Sequence, residues 1–175
     1  DPMYASALDA AVQQLNDDCD RAFVVVAEDA VATSRRFTHD PPGPKMYIDD
    51  CTEITSIIEN GNTLVEDTDY QVEPLNGLSS SGEPWPYYKV VRLGGCWANQ
   101  GPKALITITA KWGWPALPPR MIEACRILTK EIIDNRDVQL GLVAVTDAAG
   151  ISARRNTVVA NAIDRFMHPR ARGIG

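Results

Sequence analysis

Apolar and polar positions divide the chain into three blocks with different periods. Over residues 1–23, Tyr4, Leu8, Ala11, Val12, Leu15, Cys19 and Phe23 recur at helical spacing, while Asp9, Asn16, Asp17 and Asp20 take other faces. This pattern predicts an amphipathic helix. Val24-Val25-Val26 either extends that helix or begins an extended segment, and residues 28–33 read as helix or turn. From residue 34 the pattern favours strands. Residues 34–38 and 46–49 read as extended, with Asp40-Pro41-Pro42-Gly43-Pro44 as the turn between them. Residues 53–59 form a strand that runs into Asn60-Gly61, the best short hairpin signal in the chain, with residues 62–65 as its return. Residues 69–73, 87–93 and 103–112 complete the strands, separated by loops over 77–86 and 94–102. Strands this short suggest a small sheet or a barrel-like insert.

The third block begins where the second breaks. Ile106, Ile108, Ala110 and Trp112 alternate with Thr107, Thr109 and Lys111, giving a strand with one apolar face. Gly113 then permits a sharp turn, and Pro115, Pro118 and Pro119 cannot donate to a sheet ladder. Pro119 suits the first turn of a helix. Met121, Ile122, Cys125, Leu128, Ile132 and Ile133 follow on one stripe, predicting a helix over 119–136. Residues 137–151 read as a loop with partly buried anchors. Residues 156–167 read as a short helix bearing Val159, Ala162, Ile163 and Phe166, and residues 168–175 as a basic arm. The expected class is therefore α+β. A helical core from residues 1–33 and 115–167 carries a small antiparallel β domain inserted over 34–114. Trp112, Gly113, Trp114 and Pro115 form the structural junction, with both tryptophans expected to be mostly buried.

Composition adds bounds. The chain has 175 residues, 45% hydrophobic and 23% charged, enough for a core of its own. Its net charge of -6 argues against electrostatic nucleic-acid binding by the chain as a whole. No apolar run approaches the ~20 residues needed to span a bilayer. Charge is uneven: residues 1–30 carry many acids against Arg21, whereas from residue 151 onward Arg154, Arg155, Arg165, Arg170 and Arg172 face only Asp164. Such opposed ends suit contacts with complementary neighbours, and equally suit solvated surfaces.

The residues offer little chemistry. There is no Gly-rich phosphate loop, no GxSxG elbow and no HExxH. Ser34 and His39 are close in sequence, but nothing orders them as nucleophile and base. Asp49 and Asp50 are a carboxylate pair at a strand end, weak support for acid–base work. Asp17, Asp18 and Asp20 lack the converging oxygens of a hard-cation site. Cys19, Cys51, Cys96 and Cys125 have no short metal-ligand spacing; reduced, structural thiols are expected, although an even count in a secreted chain would look the same. No catalytic residue, metal or cofactor is assigned, and an enzyme is not expected. Trp85 and Trp97 lie in loops, where exposed aromatics could form an interaction site for a sugar or peptide.

Three stretches resemble a known family. The first is the amphipathic helix ending in Asp20-Arg21-Ala22-Phe23, followed by Ser34-Arg35-Arg36-Phe37. The second is Asp49-Asp50-Cys51-Thr52-Glu53-Ile54-Thr55-Ser56-Ile57, then the run from Thr63 to Asn76. The third is Lys111-Trp112-Gly113-Trp114-Pro115-Ala116-Leu117-Pro118 with the helix after it, closing on Asn135-Arg136-Asp137. In their order and spacing these are similar to the head-to-tail connector (adaptor) proteins of long-tailed double-stranded-DNA phages, over most of residues 1–140. Residues 141–155 depart from the pattern.

The resemblance implies an all-helical adaptor with an inserted β domain. It implies a structural virion protein at the head–tail junction, assembled in the host cytoplasm. Such proteins form a dodecameric ring beneath the portal and extend the DNA channel toward the tail. The expected partners are further copies of the chain, the portal, and a stopper or tail-completion protein. Double-stranded DNA would pass through without sequence-specific binding, and no membrane is involved. The alternatives are a stopper or tail-completion ring protein and a β-domain ligand-binding module. For residues 156–175 the expectation is docking on the portal, with Val159, Ile163 and Phe166 as anchors and Arg165, Arg170 and Arg172 steering. The competing expectation is that this helix packs on its own subunit.

Overall fold

A computed structural model describes residues 2–38, 43–98, 105–141 and 156–172, with side chains described to residue 135 in the long helix. In order, the elements are α1 (Pro2–Cys19), β1 (Thr33–Phe37), β2 (Lys45–Glu59), β3 (Asn62–Leu64), β4 (Tyr70–Glu73), β5 (Tyr87–Arg92), β6 (Ile106–Trp112), α2 (Pro119–Gly141) and α3 (Thr157–Phe166). Short 3-10 turns follow β4 (Leu75–Gly77) and α3 (Pro169–Arg172). The fold is α+β. It divides into a helical unit, residues 1–21 and 118–175, and a sheet unit, residues 22–117. Residues 22–33 and 115–117 thus belong with the sheet, and residues 168–172 with the helices rather than to a separate arm.

The sheet is antiparallel in the order β1-β6-β2-β5-β4, with β3 paired to β2. Residues 46–49 and 53–59, read from the sequence as two strands, are one 15-residue strand, β2. Asp49, Asp50 and Thr52 interrupt the apolar alternation there, and the register shifts on both sides of this point. Such irregularities let one long strand bend while it pairs with three others. The hairpin at Asn60-Gly61 forms as its sequence dictates: both residues have positive φ, 51° and 82°, which suits a two-residue turn. The core of the sheet unit gathers Met46, Ile48, Ile57, Val90, Ile106 and Ile108 among its buried residues.

In the helical unit α1 packs on both α2 and α3, and α2 on α3. Two boundaries differ from the sequence reading. Helix α1 stops at Cys19, where Asp20 turns to positive φ (51°) and Arg21 N–H bonds back to the Asn16 carbonyl at 3.0 Å. Phe23 therefore leaves the helix stripe. Helix α2 continues to Gly141, past the expected end at 136, because Arg136-Asp137-Val138-Gln139-Leu140 contains no breaker. Residues 28–29 form a turn and residue 33 begins β1, so 28–33 are not helical. His39, most of the 40–44 turn, the end of the 94–102 loop and residues 142–155, including Arg154 and Arg155, lie outside the described residues.

Candidate functional site

Two places concentrate what the sequence singled out: the junction in the sheet unit, and the surface of the helical unit. At the junction the incoming segment, residues 22–26, pairs with the outgoing one. Trp114 N–H donates to the Val24 carbonyl at 2.7 Å, and Val26 N–H donates to the Trp114 carbonyl at 3.0 Å. Gly113 sits between them at φ 133°, its N–H donating to the Asp50 carbonyl at 2.8 Å. A Cβ at Gly113 would stand 2.5 Å from the Val24 carbonyl oxygen. Only glycine satisfies both the backbone angle and the close approach.

Trp114 is fully buried. Its ring lies 5.1 Å from Phe23 and 5.0 Å from Trp85, the latter edge-on. Its Nε1–H donates to the Asp50 carboxylate at 3.0 Å. Asp50 is thus a buried acceptor that holds the tryptophan, while Asp49 pairs with Arg35 at 2.7 Å. The two carboxylates do not form a joint acid–base site. Cys51 packs in the core beside them. Burial, then the charges of Asp50 and Asp49, push its thiol pKa far above the usual range.

Trp112 is only half-buried, so the expectation of burial holds for Trp114 and not for its neighbour. The difference lies in their neighbours: Trp114 is enclosed by Phe23 and Trp85, whereas Trp112 lies beside residues of the edge strand β1. Trp112 lies between Arg35, 4.5 Å above its ring, and Phe37, 5.8 Å away, and donates to the Thr33 carbonyl at 2.8 Å. Pro115 is exposed and continues the chain away from the sheet. None of the four cysteines forms a disulfide; Cys96 is exposed, Cys19 and Cys51 are buried and Cys125 is intermediate.

The aromatic-platform reading of Trp85 and Trp97 is corrected by their surroundings. Trp97 is 2% exposed and belongs to the sheet core. Its loop is pinned from beneath: Glu59 pairs with Arg92 at 3.2 Å and accepts Ala98 N–H at 2.7 Å. Trp85 is half-buried against Trp114. The segment read as a loose loop over 77–86 is cross-bonded, with Trp85 N–H to the Gly77 carbonyl and Ser79 N–H to the Glu83 carbonyl, both at 2.8 Å. Loop position concealed this packing, because buried and exposed loop tryptophans look alike in sequence.

The C-terminal residues require a second correction. Val159, Ile163 and Phe166 are all buried inside their own helical unit, with Ala162. They are core and not docking anchors. Asn156 caps α3 by accepting Val158 N–H at 2.9 Å. The turn after α3 is fastened to the end of α1. His168 N–H donates to the Cys19 carbonyl at 2.7 Å, and Arg170 pairs with Asp20 at 2.7 Å. Arg172 lies 3.6 Å from Asp164, and Arg165 is exposed in the last turn of α3. The packed reading of this segment is therefore the correct one.

What the helical unit leaves outside was not anticipated. On α1 the buried residues are Ala7, Ala11, Leu15 and Cys19. The larger Tyr4, Leu8 and Val12, expected on the same inward stripe, are 53%, 37% and 40% exposed. Val158 on α3 is 45% exposed. Among the described residues no helix is long and apolar enough to cross a membrane, and no group of three or more His, Cys, Asp or Glu side chains could hold a metal ion.

No family model and no curated protein sequence matches the chain. Solved structures do. One is described as "Neck of native GTA particle computed with C12 symmetry"; it covers 96% of this chain and 83% of its own, with TM-score 0.54 and 14% identity. Another is described as "Neck of empty GTA particle computed with C6 symmetry", with coverage of 94% and 77%, TM-score 0.48 and 14% identity. GTA denotes a gene transfer agent, a phage-like particle. At this identity the likeness establishes a shared fold.

Proposed function

We propose that this chain is a structural subunit of the neck of a phage-like particle. In this reading it is a head-to-tail adaptor that forms a closed ring below the portal and continues the DNA channel toward the tail. One observation carries the reading: the helical unit interrupted by a sheet unit is shared, over 96% of the chain, with a chain from a neck of twelve-fold symmetry. Twelve copies are accordingly expected. The exposed apolar residues on α1 and α3 support an assembling subunit, since large side chains left outside a small helical core call for a covering partner. The net charge of -6 suits a conduit, because a basic lumen would hold the phosphates of passing DNA. The role is non-enzymatic, the location is the virion's head–tail junction, and the partners are the portal above and a stopper or tail-completion protein below.

The test is reconstruction of particles from cells making a tagged chain. The expected result is co-purification with tailed particles and a closed ring of the chain between portal and tail. A chain absent from particles, or present away from the head–tail junction, contradicts the proposal.

A further inference from the structure

We infer that the stripe Tyr4, Leu8 and Val12 of α1 is covered by a second copy of this chain, which presents the α3 flank bearing Val158 and Arg165. This rests on the ring reading above and specifies which surfaces meet.

The first observation is an inversion of size. Successive residues at i, i+4 and i+8 share one side of a helix. In α1 two such rows run side by side. The row turned inward is Ala7, Ala11, Leu15 and Cys19, small over its first half, where the row left outside holds Tyr4, Leu8 and Val12. A helix optimised only for its own unit would turn the larger apolar row inward, where burial contributes most. The small row lets α1 lie close on its neighbours and leaves the large row for another body.

The second observation is charge. From Pro2 to Cys19, α1 carries Asp9, Asp17 and Asp18 and no Lys or Arg. Asp9 directly follows Leu8 at the border of the outer stripe. Pairing two α1 stripes about a two-fold axis would bring acid to acid, which disfavours an isologous dimer. The surface that fits is apolar and basic. Helix α3 offers one: Val158 is exposed, and Arg165 stands two turns further along the same flank. Among the described residues Arg170 and Arg172 are engaged by Asp20 and Asp164, and Arg165 is an exposed cation of that flank. The two surfaces lie on different helices of one chain, so each copy offers one to each neighbour. Such a head-to-tail contact propagates, and closes into a ring where its rotation divides the full turn, as the ring reading above requires.

The experiment is native mass measurement of the full chain, alone and added to necks from which its own copies have been removed. The wild type is expected to give a closed oligomer. Leu8→Glu with Val12→Glu is expected to give only monomer, with unchanged circular dichroism and a cooperative melt. Should that variant misfold, the milder Val12→Ser decides, with an expected rise of at least about tenfold in the concentration needed for assembly. Asp9→Arg alone and Arg165→Asp alone should each weaken assembly, and the two together should restore it. Rings that persist in the stripe variants overturn the assignment of α1. Rings lost in those variants but not restored by the charge exchange overturn the α3 flank as the opposite surface. Rings that persist while attachment to the neck is lost assign the stripe to another neck protein and overturn the proposal. A wild type that stays monomeric in both settings overturns the ring reading itself.

Discussion

The sheet unit and the helical unit differ in where they leave apolar residues exposed: the first mostly between its strands, the second along its helices. In the sheet unit the strands turn large side chains inward: Ile48, Ile57, Ile106, Ile108, Trp97 and Trp114 are almost wholly buried, and the buried Asp50 and Glu59 have partners within the unit, while Val24, Val31, Val65 and Leu75 stay exposed between the strands. In the helical unit Leu15, Met121, Leu128, Val159, Ile163 and Phe166 are buried beside the small Ala7, Ala11, Ala124 and Ala162, while Tyr4, Leu8, Val12, Ile122 and Val158 stay exposed on the helices. The first unit carries the larger core, and its exposed apolar residues lie outside the helices and mostly in its connecting segments. The second has the small core and apolar surface of a body finished by a neighbour.

Substitutions can break this comparison, beginning with the junction that closes the sheet unit. Trp114→Ala removes a fully buried indole and should cost about 3–5 kcal/mol in chemical denaturation. Trp112→Ala should cost clearly less, because its ring is half solvated. Gly113→Ala forces a Cβ against the Val24 carbonyl at positive φ, and a loss of about 1–3 kcal/mol is expected. A variant that melts like the parent would mean that residues 22–26 do not hold the outgoing strand. In the helical unit, Ala11→Leu overfills a tight contact and should cost about 1–3 kcal/mol. Leu8→Ser, one row away and 37% exposed, should cost the monomer only about 1 kcal/mol while weakening assembly. If those two effects were reversed, α1 would be facing the other way.

The smallest effect concerns thiols. Cys96 is exposed and should react with a maleimide at neutral pH. Cys51 should stay unlabelled until the sheet opens, because burial and then the charges of Asp50 and Asp49 raise its pKa and suppress the thiolate. The sign for stability follows. The protonated thiol is favoured in the folded state, so this contribution is full below the unfolded cysteine pKa and declines as pH rises above it.

The contrast also explains what the sequence disclosed. Periodicity and turn chemistry gave the α+β class, the insert and the Asn60-Gly61 hairpin, because these depend on neighbours in sequence. They did not give the joining of two strands into β2, since Asp50 looks like a strand end until its bond to Trp114 is known. Nor did they give the burial of Trp97, which depends on Glu59 and Arg92 from distant strands. For the surface the failure ran the other way. The row Tyr4, Leu8 and Val12 was legible as apolar, but a single sequence does not say whether an apolar row faces its own core or a neighbour. The same ambiguity put Val159, Ile163 and Phe166 on a docking surface when they are core.

The most direct measurement is side-chain oxidation footprinting of the full chain, compared between dilute monomer and assembled neck. The account predicts that Tyr4 and Leu8 are strongly modified in the monomer and protected on assembly, while Trp97 and Trp114 are protected in both. Equal modification of Tyr4 and Leu8 in the two states, with protection gained instead in the sheet unit, would contradict it.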